Sequence, residues 1–246
     1  MKQNKYDQID FFNQYAKMSR SIKGLDAAGE WHQLKEMIPN LSGKRVLDLG
    51  CGYGWHCLYA LEQNASQIVG VDISEKMIEK ARSLTTDDSI KYHVAAMEDF
   101  QAEEGAFDVV ISSLAIHYIK SFQMICEKVF HYLADGGTFV FSVEHPIFTA
   151  RQEQDWIYDD KGRRLHWPVD HYHIEGLRET MFLNEEVTKY HRTVSTYLNE
   201  LMQAGFMITN VAESIPSIEM QQASSEMKDE LRRPMFLLIS AVKKAL

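Results

Sequence analysis

A glycine-rich turn that directly follows a short apolar run is the feature that most constrains this chain. The run and the turn read Val46-Leu-Asp-Leu-Gly-Cys-Gly-Tyr-Gly54, with glycine at alternating positions. Glycine allows a tight backbone turn and a close approach of the main chain to a ligand. The residues that follow predict a helix, whose N-terminus favours an anionic group such as a carboxylate. The sequence therefore predicts a strand, a ligand-binding turn and a helix in succession.

Beyond the turn, short apolar strands alternate with helices. We predict strands over residues 45–49, 67–72, 90–95, 107–113 and 137–143, and helices over 55–64, 74–85 and 121–133. Ser74 is the expected N-cap of the second of these helices. Buried strands that are each followed by a helix indicate a parallel sheet covered on both faces, with right-handed crossovers. The predicted fold class is therefore α/β.

One part of the chain precedes these alternating strands and helices, and two parts follow them. Helices are predicted over residues 5–19 and 26–38. Residues 144–192 are rich in histidine and aromatic residues, and a turn signal at 159–162 predicts a hairpin between 156–158 and 164–167, with a further extended run at 189–192. The alternation then resumes with a helix over 193–204, a strand over 206–214, a loop or helix over 217–231 and a last strand over 234–242.

Two acidic residues distinguish the turn from a dinucleotide-binding turn. Asp72 ends the second predicted strand, where a carboxylate accepts hydrogen bonds from a ribose diol. Asp48 precedes the glycines, at a point where a ligand with an ammonium group needs an acid and a dinucleotide does not. The spacing Gly50-x-Gly52-x-Gly54 also departs from the G-x-G-x-x-G fingerprint. A nicotinamide oxidoreductase is therefore a disfavoured alternative.

At these residues the sequence resembles the class I S-adenosylmethionine-dependent methyltransferases. The resemblance is most specific in residues 46–54, 69–74 and 107–119. It implies a Rossmann-like, mostly parallel seven-stranded sheet with helices on both faces, its last strand (234–242) antiparallel beside 206–214. It also implies an N-terminal helical lid (1–39), a methyltransferase domain (40–246) and a substrate cap inserted after strand five (145–192). The implied cofactor is S-adenosyl-L-methionine, and its product is S-adenosyl-L-homocysteine.

The resemblance assigns cofactor-binding roles to particular positions. Asp48, Gly50 and Gly52 would surround the methionine part, with Cys51 as a small residue of the same cofactor-binding turn, and Asp72 would bind the ribose hydroxyls. The remaining implied contacts are made by Ile73 and Met77 near the adenine, the backbone of Met97 and Glu98 at the base, Ser112 and Leu114 beside the methyl group, and Tyr15 and Arg20 from the lid. An acid common in the family at position 96 is replaced by alanine here. Taken on its own, a methionine such as Met77 is more often a core residue, and the N-terminal aromatics are equally compatible with simple docking of the helix.

The acceptor side is less defined by the sequence. Methyl transfer displaces a sulfonium, and a general base is needed only when the acceptor must lose a proton. We expect His145 as the base because it directly follows strand five, with His117 as the second choice, although such histidines are more often structural. An aromatic cap of Trp156, Trp167 and Tyr172 would suit a flat or apolar acceptor. The spacing of Glu144, His145 and the inserted histidines matches no zinc pattern, so no metal is predicted.

Composition excludes several classes of protein. The net charge of −9 and the absence of a basic run beyond residues 161–164 disfavour nucleic acid as a partner. The 3 cysteines form no two-residue-spaced pair that would indicate zinc or a disulfide framework. No apolar run reaches the roughly 18 residues of a membrane helix, and the N-terminus is polar. We therefore expect a cytoplasmic protein, a monomer or homodimer, that acts on a small-molecule acceptor.

Two alternatives remain open at the level of sequence. A methyltransferase that acts on a protein, a peptide or RNA would share the cofactor motif, and a wide acidic groove would favour a basic peptide. A non-catalytic S-adenosylmethionine-binding protein would also share it, because the glycine turn and Asp72 report binding rather than turnover.

Overall fold

The computed structural model describes residues 3–244 of the chain. Met1 and Lys2 of the predicted lid, and Ala245 and Leu246 of the predicted methyltransferase domain, lie outside the described residues. The strands are β1 (Arg45–Leu49), β2 (Gln67–Asp72), β3 (Ile90–Val94), β4 (Phe107–Ser113), β5 (Leu133–Glu144), β6 (Ile157–Tyr158), β7 (Arg164–His166), β8 (Gly176–Phe182), β9 (Glu185–His191), β10 (Phe206–Glu213) and β11 (Phe236–Lys243).

The α-helices lie before, between and after these strands. They are α1 (Ile9–Tyr15), α2 (Ser19–Lys23), α3 (Trp31–Met37), α4 (Trp55–Glu62), α5 (Glu75–Leu84), α6 (Phe122–Tyr132), α7 (Pro146–Thr149), α8 (Val194–Gln203), α9 (Ile218–Ala223) and α10 (Ser225–Asp229). Short 3-10 helices occur at Lys5–Asp7, Gly24–Ala27, Ile116–Tyr118 and Glu230–Arg232. No helix in residues 3–244 has the length and apolar character needed to cross a membrane.

Seven strands form one sheet in the order β3-β2-β1-β4-β5-β11-β10. The strands from β1 to β5 are parallel, and β11 lies antiparallel between β5 and β10. This confirms the predicted Rossmann-like sheet with an antiparallel last strand. The strand order changes direction between β1 and β4, and ligands of open α/β sheets bind at the carboxyl ends of the strands beside such a change. The topology therefore places the site at the ends of β1 and β4.

The sheet is buried on both faces, as its apolar strands predict. Leu47 and Leu49 of β1 point to the face covered by α6 and α8, while Val46 points to the face covered by α3, α4 and α5. All three side chains are at most 1% exposed. The two cores hold the strand ends rigid, so that side chains at the carboxyl edge have fixed positions.

The insertion after β5 contains two hairpins where the sequence predicted one. β6 and β7 form the predicted hairpin, and the extended run at 189–192 is the end of β9, which pairs with the unpredicted strand β8. The β8–β9 turn is formed by Leu183 and Asn184, both with positive φ (52° and 62°). Leucine is an uncommon residue in this conformation, so the turn lacks the glycine signal that marks most tight hairpins.

The N-terminal segment is divided into two parts. Residues 3–23 contain α1 and α2, in place of one continuous predicted helix over 5–19. The second predicted helix, over 26–38, begins later, at Trp31, and its apolar residues Trp31, Leu34 and Met37 belong to the core beneath the sheet. The first part of this segment therefore reaches over the carboxyl edge of the sheet.

Candidate active site

The glycine turn brings the backbone of β1 close to the loop after β4. Gly50, Gly52 and Gly54 have backbone φ values of +78°, +52° and +75°, which residues other than glycine rarely adopt. A Cβ on Gly50 would lie 2.4 Å from the Cβ of Ala115, so only glycine fits at this contact. A Cβ on Gly52 would instead project into open space. The turn thus presents bare main chain to a cavity.

The cavity at this edge has a volume of about 1000 Å³. It is enclosed by the glycine turn, the loops after β2, β3, β4 and β5, the N-terminal segment and the β8–β9 hairpin. Most residues predicted to bind the cofactor or act in catalysis are brought together on its wall: Tyr15, Arg20, Gly50, Gly52, Asp72, Ile73, Met77, Met97, Glu98, Leu114 and His117. This volume lies at the upper end of the roughly 300–1,000 Å³ typical of small-ligand pockets, so there is room for two ligands side by side.

Asp72 is fixed by the backbone on both sides. Its Oδ2 accepts a hydrogen bond of 2.9 Å from the N–H of Gly52, and its Oδ1 accepts one of 2.9 Å from the N–H of Ser74. Burial raises the pKa of Asp72, although these hydrogen bonds oppose the shift. A carboxylate has about four lone-pair sites, so both oxygens keep the capacity to accept from a diol in the cavity.

The residues after β2 and β3 form an apolar slot next to Asp72. Ser74 caps α5 as predicted, by accepting a hydrogen bond of 3.1 Å from the N–H of Met77. Ile73, Met77 and Met97 line this part of the cavity. The Met77 side chain is 1% exposed and also lines the cavity, so its position is compatible with both the core and the cofactor interpretation.

Three predicted cofactor residues lie behind the cavity wall. Asp48 is buried beneath the turn, with Oδ2 3.6 Å from the Sγ of Cys57 and Oδ1 without a partner among the described residues. Burial raises the pKa of Asp48 to about 7. The Cys51 thiol faces the carbonyl of Gly52, and the Ser112 hydroxyl donates to the carbonyl of Leu49 at 2.7 Å. The side chains of Asp48, Cys51 and Ser112 thus do not line the cavity, in contrast to the other residues predicted to bind the cofactor.

The N-terminal segment supplies Tyr15 and Arg20 to the cavity, together with Tyr6. The rings of Tyr6 and Tyr15 meet edge to face at 5.3 Å, and Tyr15 meets Tyr53 of the glycine turn in the same manner at 5.6 Å. Arg20 donates a hydrogen bond of 3.1 Å to Oε1 of Glu30. Glu30 could not be recognised from the sequence, because an acid before an apolar helix has the pattern of an ordinary helix start.

A buried ion pair lies at the end of β5. Glu144 lines the cavity, and its Oε1 accepts a hydrogen bond of 2.6 Å from the Nζ of Lys189, which is 2% exposed. Oε2 accepts one of 3.3 Å from Gln154. Burial alone would raise the pKa of Glu144, but the charge of Lys189 and the contact with His117 hold it below its usual range. Glu144 is therefore ionised at neutral pH.

His117 lies on the cavity wall beside Glu144. Its Nδ1 accepts a hydrogen bond of 3.4 Å from the backbone N–H of Glu144, and burial lowers the pKa of His117 to about 4. The ring is therefore neutral near pH 7. In that state the proton is on Nε2, because Nδ1 is the acceptor.

His145, the preferred base in the sequence analysis, does not line the cavity. It is 1% exposed, and both of its ring nitrogens are engaged. Nδ1 accepts from the N–H of Ile147 at 3.0 Å and so caps α7, while Nε2 lies 3.0 Å from Oε1 of Glu213. The expectation that His145 faces the acceptor is wrong, because the chain turns into α7 at this residue and carries the ring away from the cavity.

The predicted aromatic cap also lies elsewhere. Trp156 and Trp167 pack edge to face at 5.3 Å and surround the guanidinium of Arg233, which lies 4.1 Å from the centre of the Trp167 ring. They join the β6–β7 hairpin to the segment before β11. The aromatic residues of the insertion that line the cavity are Phe182 and Tyr190 of the β8–β9 hairpin. Within residues 3–244, no three His, Cys, Asp or Glu side chains are grouped as metal ligands.

The cavity fits a nucleoside that carries an amino acid. The open space in front of Gly52 accommodates a close ligand, Asp72 can accept from a ribose, and the slot formed by Ile73, Met77 and Met97 suits an adenine ring. Arg20 can pair with a carboxylate.

Comparison with known proteins agrees with this geometry. Residues 47–141 match the methyltransferase domain family. A protein from Listeria monocytogenes, described as an S-adenosylmethionine-dependent methyltransferase, has 53% sequence identity and a TM-score of 0.86, over 90% of this chain and 100% of that one. A second such methyltransferase, from Mesorhizobium loti, has 45% identity and a TM-score of 0.84, over 89% and 100%.

A relative outside the solved structures covers most of the chain as well. A protein from Synechocystis sp., named as an uncharacterized methyltransferase, is 31% identical over 200 residues, which are 79% of this chain and 82% of the relative. These similarities extend well beyond the glycine turn. Together with the sheet topology and the cavity, they show that this chain belongs to the class I S-adenosylmethionine-dependent methyltransferases and that its cofactor is S-adenosylmethionine.

Proposed function

We propose that the enzyme transfers the methyl group to a flat, uncharged small molecule by direct displacement. The observation that carries this proposal is the roof over the part of the cavity that holds His117 and Glu144. The roof consists of Phe182 and Tyr190 from the β8–β9 hairpin and Tyr6 from the N-terminal segment. A polymer acceptor needs an open groove, whereas a roofed pocket with aromatic walls suits a small planar molecule and excludes water.

The charges around this part of the cavity support an uncharged acceptor. The negative charge of Glu144 is balanced by Lys189 at 2.6 Å. His117 is neutral near pH 7, and burial raises the pKa of Tyr118, so its hydroxyl stays protonated. Lys120 also lines the cavity but is exposed, and solvent and salt weaken its field. A charged acceptor would find no unpaired buried counter-ion among these side chains.

The part of the cavity lined by His117 and Glu144 suits an acceptor whose nucleophile is a hydroxyl group. S-adenosylmethionine, when bound, supplies an electrophilic methyl group on a sulfonium sulfur. The side chains of the enzyme orient the acceptor and exclude water. We assign to Glu144 the proton that the hydroxyl would lose when its oxygen bonds to the methyl carbon and S-adenosylhomocysteine leaves with the electrons of the broken carbon–sulfur bond. His117 is reassigned from base to hydrogen-bond donor, because its free ring nitrogen, Nε2, carries the proton.

Methyl transfer into a fractionated cell extract tests the acceptor class. The purified enzyme is incubated with S-adenosylmethionine labelled in the methyl group and with the low-molecular-mass filtrate, the protein fraction or the RNA fraction. We expect label to enter an extractable compound of the filtrate. Label that enters only the protein or RNA fraction would contradict the proposal and favour a macromolecular acceptor.

A pair of variants tests the role of Glu144 once an acceptor is available. Glu144→Gln should lower turnover about 100-fold or more, on the scale of a lost general base, without changing the affinity for S-adenosylhomocysteine. Glu186→Gln is the control, because Glu186 is an exposed acid on β9, the strand that carries Lys189, the partner of Glu144. Thermal unfolding of both variants shows whether the fold is retained. Unchanged turnover of a folded Glu144→Gln enzyme would remove Glu144 as the proton acceptor.

A further inference from the structure

We infer that Glu30 binds the ammonium group of the methionine part of the cofactor, next to Arg20, which binds the carboxylate. Glu30 immediately precedes α3 and is 1% exposed. Its Oε1 is 3.1 Å from a terminal nitrogen of Arg20 and 3.5 Å from the hydroxyl of Ser113. Both of these partners line the cavity. Glu30 thus lies directly behind two residues of the cofactor wall.

The hydrogen bonds around Glu30 leave one side of its carboxylate unused. Oε2 is buried and has no hydrogen-bond partner among residues 3–244. An ionised carboxylate accepts at about four lone-pair sites, and leaving one buried oxygen unpaired is costly in free energy. The free side of this carboxylate therefore calls for a donor that the protein itself does not supply.

Arg20 has unused capacity as well. The guanidinium has five N–H donors, of which one bonds to Glu30. Burial alone would lower the pKa of Arg20, but Glu30 and Tyr15 hold it above its usual range. The remaining donors are available to an anion in the cavity, where the Arg20 side chain is 24% exposed.

The contact between Arg20 and Glu30 matches the charge pattern of an α-amino acid. The carboxylate and ammonium groups of an amino acid are attached to the same carbon, so their counter-ions must also be neighbours. An arginine alone would balance only the carboxylate. A touching arginine–glutamate pair next to the glycine turn balances both groups at once, and the buried setting strengthens both interactions.

A chain of hydroxyl groups orients Glu30 toward the end of β4. The backbone N–H of Leu114 donates to the hydroxyl of Ser142 at 3.2 Å, and that hydroxyl donates to Ser113 at 3.1 Å. Ser113 in turn donates to Glu30. Every donor in this chain points toward the glutamate, which fixes its carboxylate beside the loop that follows β4.

Asp48 is the competing candidate for the ammonium contact. Its Oδ1 is also buried without a partner among the described residues. Unlike Glu30, however, Asp48 contacts a thiol of α4 and has no hydrogen bond to a residue of the cavity wall. The Asp48→Asn variant therefore serves as the matched comparison for Glu30→Gln.

Calorimetry with four ligands tests this assignment without use of the methyl-transfer activity. The ligands are S-adenosylhomocysteine, its decarboxylated analogue, its deaminated analogue and 5′-methylthioadenosine, which lacks both charged groups. Glu30→Gln should weaken the two ligands that keep the ammonium by about ten- to a hundredfold, the scale of a charged hydrogen bond. The deaminated analogue and methylthioadenosine lack the ammonium group, so the variant should change their dissociation constants by less than about twofold, well below the loss of a charged hydrogen bond.

Three results would overturn the assignment. If Glu30→Gln weakens the deaminated analogue as strongly as S-adenosylhomocysteine, Glu30 only positions Arg20. If Asp48→Asn produces the ammonium-specific loss and Glu30→Gln does not, the contact belongs to Asp48. The wild-type enzyme provides a test that needs no variant: a decarboxylated analogue that binds no more tightly than methylthioadenosine would show that the enzyme holds no ammonium.

Discussion

The carboxylate of Asp7 accepts a hydrogen bond of 2.6 Å from the hydroxyl of Ser74, the N-cap residue of α5. The same carboxylate accepts from the backbone N–H of Lys76 at 3.1 Å. An acid at a helix N-terminus is favoured by the unpaired N–H groups and the helix dipole. Ser74 also donates its N–H to Asp72, the residue that we expect to bind the ribose. The N-terminal segment is therefore linked through Ser74 to the ribose-binding part of the cavity. We propose this segment as the lid over the cofactor.

Replacement of Asp7 by alanine should loosen the lid. We expect faster amide hydrogen exchange in residues 3–23 and a stability loss of about 1 kcal/mol, the scale of a lost helix cap. Exchange measured by mass spectrometry, with and without S-adenosylhomocysteine, checks this outcome. Asp10→Ala is the control, since Asp10 is an exposed acid of α1. Equal exchange in the two variants would show that Asp7 does not hold the lid.

Replacement of Asp72 by alanine should weaken cofactor binding by about 1–3 kcal/mol, the range for hydrogen bonds to charged groups. The loss has two sources, since Asp72 also orients the N–H of Gly52. Calorimetric titration with S-adenosylhomocysteine measures it. Asp108→Ala is the comparison, because Asp108 pairs with Arg45 near the start of β4, away from the cavity. Unchanged affinity in Asp72→Ala would refute the ribose contact.

Replacement of His145 by alanine should affect stability and leave catalysis intact. The variant loses the cap of α7 and the contact with Glu213, so the free energy of unfolding should fall by about 1–3 kcal/mol. Turnover per folded molecule should stay at the wild-type level. Urea unfolding and a methyl-transfer assay on the same preparation measure the two quantities. A folded variant with much lower turnover would restore His145 as a catalytic residue.

The low pKa of His117 predicts a loss of stability in acid. Burial lowers this pKa from 6.5 to about 4, so the unfolded chain binds a proton that the folded chain excludes between these values. The stabilising contribution is complete above pH 6.5 and is lost as the pH falls toward 4, by up to about 1.4 kcal/mol per pH unit. His56, whose pKa burial lowers to about 3, acts in the same direction.

The variant His117→Asn should show a shallower dependence of unfolding free energy on pH over this range. Asparagine is chosen because its carbonyl oxygen can accept the backbone N–H of Glu144 in place of Nδ1. Urea unfolding at a series of pH values measures both proteins. If the two slopes between pH 6.5 and 4 are equal, His117 is not a buried neutral histidine.

The wall of the cofactor site was predictable because local sequence patterns place it. Gly50 and Gly52 need positive φ, and Asp72 ends a strand that must lie beside β1. A parallel sheet brings the ends of such strands to one edge, so their side chains meet without further information. Glu30 and the β8–β9 roof were not predictable in this way. They reach the site through packing between segments that are distant in the sequence.

The sequence by itself determined the fold class, the cofactor and the edge of the sheet where the cofactor binds. The fold class and the edge of the sheet follow from backbone requirements and from the alternation of apolar strands with helices, which are local properties, whereas the cofactor was implied by the resemblance of residues 46–54, 69–74 and 107–119 to the methyltransferase family. Only the tertiary structure decided which side chains face the cavity. His145 directly follows β5, yet its ring points away from the cavity and caps α7. Asp48 lies in β1 just before the glycine turn, yet its carboxylate is buried beneath the turn. The direction of a side chain depends on how the chain continues and what packs against it, and one residue of difference at a strand end reverses it.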